Sequence, residues 1–136
     1  MAQAGYSGSP LVKKLGIKDG ARIFLKGAPE DYLDWIDPFP AGVQVLKRPG
    51  KGLDFAHVFV TKKADLKKQL ESLFEPVRPD GMIWVSWHKK TSKIPTEITE
   101  DVIREIALPM GLVDVKVCAV SEIWSGLKLV IRKEFR

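Results

Sequence analysis

The sequence predicts one α/β domain with a mixed, mainly parallel sheet between two helical layers. Short apolar runs alternate with segments of helical periodicity along most of the chain. Strands joined through helices have to pair in parallel with right-handed crossovers, whereas the last two apolar runs are joined by a short loop and can pair antiparallel. These observations together predict a three-layer fold that ends in an antiparallel strand pair.

The predicted strands each follow a turn signal rich in glycine or proline. The first three are residues 21–25, 43–46 and 55–60. A fourth, residues 82–87, is apolar without alternation, which is typical of a strand covered on both faces. We therefore expect it to lie near the centre of the sheet.

Two helices are predicted between the strands. Residues 63–75 place leucines at helical spacing opposite charged side chains, and Pro76 ends the pattern. Thr99 has the position of an N-cap for a second helix, which Pro109 and Gly111 end. Residues 27–39 are predicted to hold one or two helical turns.

The last two strands alternate between apolar and polar residues. They are residues 113–117 and 127–131, joined by a loop that contains Ser125 and Gly126. This pattern predicts the terminal antiparallel pair.

The composition restricts the class of protein. The chain has 136 residues, 22 Lys plus Arg against 17 Asp plus Glu, and 45% hydrophobic residues. This predicts a single domain, residues 10–136, after a short tail of residues 1–9. No apolar run is long enough for a membrane span or a signal peptide, so we expect a cytoplasmic protein without a membrane partner. Cys118 and two histidines are too few for a structural zinc site, and no metal is expected.

Two segments carry a resemblance to a known fold. Residues 15–25 and 79–85 are similar to the entries into two strands of the S-adenosylmethionine-dependent methyltransferases. The resemblance implies a shortened Rossmann-like fold. It does not extend to the cofactor loop, because Gly27 is followed by Pro29 where that family has a glycine-rich loop. The second strand ends in Lys47 and Arg48 rather than in an acidic residue, so we expect no cofactor.

A second resemblance runs nearly from end to end. Residues 6–8 with 10–11, residues 84–90 with Ser92, and residues 108–117 and 123–134 resemble a family of bacterial proteins catalogued as a domain of unknown function. This resemblance implies a bacterial origin and the same fold. It supplies no activity and no catalytic residues.

The loops after the four predicted parallel strands are all basic. Ligands of open α/β sheets bind beyond the carboxyl ends of such strands, and positive charge there attracts phosphate, carboxylate or nucleic acid. We also expect free backbone N–H groups at the helix that begins near Lys62. The predicted anion-binding residues are Lys62, Lys63, Lys89, Lys90 and Ser92, and the further ligand contacts are Lys26, Gly27, Lys47, Arg48 and His88.

Four other residues could carry chemistry. His88 could act as a general base or as an anion contact. His57 is predicted to be a hydrogen-bonded strand residue, Cys118 to be buried, and Trp124 to pack against the sheet. No catalytic residue is predicted.

The leading functional hypothesis is a non-catalytic domain that binds a small anionic ligand or an acidic protein at the basic edge. One alternative is a degenerate methyltransferase-like enzyme with altered cofactor use, and another is an interaction module that forms an oligomer. Nucleic acid is a weaker candidate, because the sequence has no RNP, KH or zinc-finger signature. The sequence does not determine the oligomeric state.

Overall fold

A mixed sheet lies between two helical layers in the computed structural model, which describes residues 10–37 and 39–136. The strands are β1 Arg22–Lys26, β2 Gln44–Leu46, β3 Leu53–Phe59, β4 Val77–His88, β5 Leu112–Ala119 and β6 Trp124–Ile131. The helices are α1 Leu11–Leu15, α2 Tyr32–Trp35, α3 Lys63–Leu73 and α4 Glu100–Ala107. Short 3₁₀ turns occur at Lys90–Ser92, Leu108–Met110 and Lys133–Phe135.

The strand order across the sheet is β2-β1-β3-β4-β6-β5. The first four strands in this order are parallel, and β6 is antiparallel to both β4 and β5. The predicted fold class is therefore confirmed, including the central position of β4. The carboxyl ends of β1, β2, β3 and β4 all lie at one edge of the sheet.

Each face of the sheet is covered by a different pair of helices. The leucines of α3 and the apolar face of α4 pack on Val58 and Val85. On the opposite face α1 and α2 pack on Ile23, Phe55 and Trp84. Because side chains alternate along each strand, consecutive residues of β3 and β4 supply the two cores in turn.

The structure extends the predicted elements at α1, β4 and β6, and the prediction that Ser125 and Gly126 lie in the loop before β6 is wrong, because both belong to the strand. Helix α1 was not predicted; it follows Pro10 and ends at Gly16, whose φ of 85° is the left-handed conformation that glycine favours. Strand β4 already begins at Val77, which pairs with Leu53 ahead of an irregularity in the register. The predicted N-cap is confirmed, because the hydroxyl of Thr99 accepts a hydrogen bond from the backbone N–H of the third residue after it at 3.2 Å.

The predicted tail, residues 1–9, lies outside the described residues. Within residues 10–37 and 39–136, no helix has both the length and the apolar character needed to cross a membrane.

Candidate functional site

A cleft of about 820 Å³ opens at the carboxyl end of β4, on the face of the sheet that carries α4. Trp87 of β4 and Ser125 of β6 are cross-strand partners and line it together. The loop after β4 contributes Lys89, Lys90 and Lys93 to the lining. The cleft therefore lies at the edge where the sequence predicts anion binding.

Two carboxylates also line the cleft, at the start of α4. Glu100 and Asp101 both bind the guanidinium of Arg104, at 3.1 Å and 3.3 Å. Their charge is therefore partly balanced within the helix itself. Lys90 and Lys93, by contrast, make no ion pair with any part of the chain that the structure describes.

The loop that carries the cleft lysines is held by its own hydrogen bonds. The hydroxyl of Ser92 donates to the backbone carbonyl of Lys89 at 2.7 Å and accepts from the N–H of Ile94 at 3.2 Å. Lys93 has a φ of 59°, a left-handed conformation that a non-glycine residue adopts only when its surroundings hold it there. Ser92 therefore shapes the loop from within, and it does not line the cleft.

The basic residues at the start of α3 lie in the neighbouring loop. Glu97 joins the two loops, because its N–H donates to the carbonyl of Thr61 at 2.9 Å and its carboxylate accepts from the N–H of Lys63 at 2.8 Å. The prediction of free N–H groups at the start of α3 is therefore wrong at Lys63. Its backbone N–H is already bound to the carboxylate of Glu97. Lys62 and Lys63 do not line the cleft.

The basic loops after β1 and β2 lie away from the cleft, at the end of the strand order that β2 forms. A Cβ on Gly27, whose φ is 72°, would lie 2.9 Å from the carbonyl oxygen of Phe59, so the backbone of β3 closes against this loop. Lys26 is exposed at the end of β1. Lys47 and Arg48 are exposed after the edge strand β2, which β1 separates from β3. These residues do not line the cleft.

His88, the candidate general base, is the last residue of β4 and borders the cleft. Its ring stacks on Trp124, with 3.9 Å between the ring centroids, and register places both side chains on the face opposite Trp87. Its Nδ1 atom is buried without a hydrogen-bond partner, and desolvation lowers the pKa of the ring. The prediction that Trp124 packs against the sheet is confirmed, since it is buried.

A hydrogen-bonded chain of side chains lies under α2. The Nδ1 atom of His57 is 2.7 Å from the hydroxyl of Tyr32, and its Nε2 atom is 2.7 Å from the hydroxyl of Ser86. All three residues are buried, and desolvation lowers the pKa of His57 to about 3. The prediction for His57 is confirmed, whereas its partners were missed because neither is close to it in sequence.

Among the described residues, no three or more histidine, cysteine, aspartate or glutamate side chains form a group that could hold a metal ion.

Comparisons with known proteins give similarity at the level of the fold. No protein-family model matches the chain, and no curated protein matches it. An S-adenosylmethionine-dependent methyltransferase from Aquifex aeolicus is similar to it with a TM-score of 0.67 and 16% identity, covering 89% of this chain and 87% of the other. A second similar structure is the complex between the Haloferax volcanii Trm112 methyltransferase activator and a methyltransferase, with a TM-score of 0.63, 11% identity, and coverage of 90% and 86%.

A third similar structure is the mitomycin 7-O-methyltransferase MmcR, with a TM-score of 0.62 and 12% identity over 88% of this chain and 52% of the other. At these identities the likeness concerns the backbone and not the chemistry of the site. The chain therefore has a methyltransferase-like Rossmann fold.

Proposed function

We propose that the protein binds a small anionic ligand with an apolar part in the cleft at the carboxyl end of β4. The observation that carries this proposal is the lining, in which lysines of the loop after β4 stand beside apolar side chains of β4 and of the following segment. Concave sites that combine apolar surface with a few convergent polar groups are the usual form of small-ligand sites. The concavity favours a small ligand over an acidic protein.

The cationic part of the proposed site is Lys90 and Lys93. A phosphate or carboxylate group can accept charge-assisted hydrogen bonds from both ammonium groups. The left-handed backbone at Lys93 supports this role, since strained backbone conformations cluster at ligand sites.

The apolar side chains that line the proposed site are Trp87, Ile94 and Ile98, of which the first and the last are buried. Ile94 is 40% exposed, so it retains apolar surface that a ligand would cover. Burial of apolar surface stabilises a complex by about 25 cal/mol per Å². A ligand with a sugar, base or hydrocarbon portion should therefore bind more tightly than inorganic phosphate.

The test is a thermal-shift and calorimetric screen with inorganic phosphate, a sugar phosphate, a nucleoside monophosphate and S-adenosylmethionine. The Lys90→Ala/Lys93→Ala variant should bind the best phosphate ligand about a hundredfold more weakly or worse, because two hydrogen bonds to charged groups contribute about 1.5 to 3 kcal/mol each. The matched control is Lys62→Ala/Lys63→Ala, which removes the same charge from the adjacent loop. Equal losses in both variants, or no binding of any phosphate ligand, would contradict the proposal.

A methyltransferase-like enzyme is the second candidate, and the likeness of the fold to methyltransferases favours it. Its ligand would bind near the loop after β1 rather than in the cleft. A thermal shift with S-adenosylmethionine that persists in Lys90→Ala/Lys93→Ala would support this candidate over the first.

A further inference from the structure

We infer that the protein has a second anion-binding surface, on the face of the sheet that carries α1, and that this surface binds the phosphate backbone of a nucleic acid. We call it the lysine face. It consists of Lys14, Lys18, Lys116 and Lys128.

The register of β5 and β6 places two residues of the lysine face side by side. Lys116 of β5 and Lys128 of β6 are direct cross-strand partners, and Lys128 is in turn the partner of Trp84 in β4. The ammonium group of Lys116 lies 6.0 Å from the centroid of the Trp84 ring. The two lysines therefore lie in one row with a buried tryptophan.

Helix α1 places the other two lysines beside this row. The indole N–H of Trp84 donates to the carbonyl of Leu15 at 2.9 Å, which fixes the end of α1 over the ring. Lys14 is in the last turn of this helix, and Lys18 follows it. Two segments far apart in sequence thus bring four positive charges to one surface.

The charges that act on Lys128 and Cys118 at this surface are those of lysines. Partial burial lowers the pKa of Lys128, and the positive charges of Lys116 and Lys18 lower it further. Cys118, predicted to be buried, is half-buried; desolvation raises the pKa of its thiol, while Lys14 and Lys116 act in the opposite direction. None of the four lysines forms an ion pair with another described residue.

The pairing of Lys116 with Lys128 lowers the stability of the folded protein. Like charges directly opposite each other on neighbouring strands are destabilising. A bound polyanion would remove that repulsion. Features that lower stability without a structural benefit are expected at functional sites.

The chemistry of the surface favours a phosphodiester chain over a small ligand. Lys116 is on the edge strand of the sheet and its side chain is exposed. Lysine binds phosphate as a point charge and needs no fixed orientation. The cleft, in contrast, is concave and partly apolar, which suits a small ligand better than an extended chain.

The binding should be independent of sequence. Trp84 is fully buried and cannot stack on a base, so the contacts available at the lysine face are ionic. Such binding weakens steeply with salt. With all four lysines on phosphates, the logarithm of the affinity for a single strand should fall with the logarithm of the salt concentration with a slope of about −3.

Fluorescence anisotropy of the full chain with labelled single- and double-stranded oligonucleotides of about 20 nucleotides, longer than one small domain covers, tests the inference. Lys116→Ala/Lys128→Ala should weaken binding and reduce the salt slope by about half. The matched control is Lys67→Ala/Lys68→Ala, which removes the same charge from exposed positions of α3 on the opposite face of the sheet. It should keep most of the affinity and the slope.

Three results of these binding measurements would overturn the inference. They are no binding of either oligonucleotide at low salt, equal losses in the two double variants, and binding to vesicles of anionic phospholipid without binding to oligonucleotides. Lys116→Glu separates binding from folding, because it converts a repulsive pair into an attractive one. It should lose oligonucleotide binding while its melting temperature stays the same or rises.

The inference does not depend on the function proposed for the cleft. Lys90→Ala/Lys93→Ala should leave oligonucleotide binding largely intact, and Lys116→Ala/Lys128→Ala should leave phosphate binding in the cleft intact. If both activities disappear only in Lys90→Ala/Lys93→Ala, the lysine face is not the nucleic-acid site.

Discussion

The Nε2 atom of His57 in β3 lies 2.7 Å from the hydroxyl oxygen of Ser86 in the neighbouring strand, with both side chains fully buried. The opposite ring nitrogen contacts the hydroxyl of Tyr32 in α2 at 2.7 Å. A neutral imidazole has one N–H and one lone pair, so one hydroxyl donates to the ring and the other accepts from it. The network therefore ties α2 to two central strands, close to the carboxyl edge.

Removal of either hydroxyl should destabilise the protein. Tyr32→Phe or Ser86→Ala leaves one nitrogen of the buried imidazole without a partner, which costs about 1 to 3 kcal/mol of unfolding free energy. Urea denaturation followed by tryptophan fluorescence measures this. Ser72→Ala is the control, since Ser72 is exposed on α3 and its loss should cost less than about 0.5 kcal/mol. If Ser86→Ala costs no more than the control, the network does not stabilise the fold.

Burial of His57 should make stability depend on pH. In the folded protein the pKa of His57 is about 3, below its ordinary value of 6.5. Between pH 3 and 6.5 the unfolded chain therefore binds a proton at His57 that the folded protein does not bind. The contribution of neutral His57 to the free energy of unfolding is fully present above pH 6.5. It is lost as the pH falls towards 3, by at most about 1.4 kcal/mol per pH unit. Carboxylates also titrate in this range, so the wild type is compared with His57→Phe. The wild type should show the steeper loss, and parallel curves would contradict the prediction.

The sequence predicted the parallel half of the sheet because apolar runs and crossover helices are local signals. It did not predict α1, which is only one turn long and whose apolar side chains are stabilised by contact with Trp84. The pairing of Lys116 with Lys128 could not be predicted either, because an irregularity in the register next to Asp114 shifts the alignment of the last two strands.

The candidate site was predicted only in part. The edge and the lysines after β4 were predicted from strand order and loop composition. Glu97, which joins two loops and occupies the N-terminus of α3, was missed because its contacts with Thr61 and Lys63 are distant in sequence. Carboxylates of this kind decide which basic residues remain available to a ligand, and sequence spacing does not reveal them.

The N-cap of α4 should contribute measurably to stability. The hydroxyl of Thr99 accepts a hydrogen bond from the N–H of Val102 at 3.2 Å, so Thr99→Ala leaves that donor without a side-chain partner. The expected loss of unfolding free energy is about 1 kcal/mol, measured by urea denaturation. Thr91→Ala is a matched control at an exposed position in the loop after β4. A loss no larger than that of the control would show that the cap is unimportant.

The close packing at Gly126 should not tolerate a side chain. A Cβ at this position of β6 would lie 2.8 Å from Cγ2 of Val120 and 3.2 Å from the ring of Trp84. Gly126→Ala should therefore cost about 1 to 3 kcal/mol through overpacking. Because the closest atom belongs to Val120, the double variant Gly126→Ala/Val120→Ala should be more stable than the sum of the two single losses predicts. Calorimetric unfolding of the four proteins in this cycle measures the coupling. Simple additivity would mean that the strain at Gly126 arises from Trp84 and Ser86 rather than from Val120.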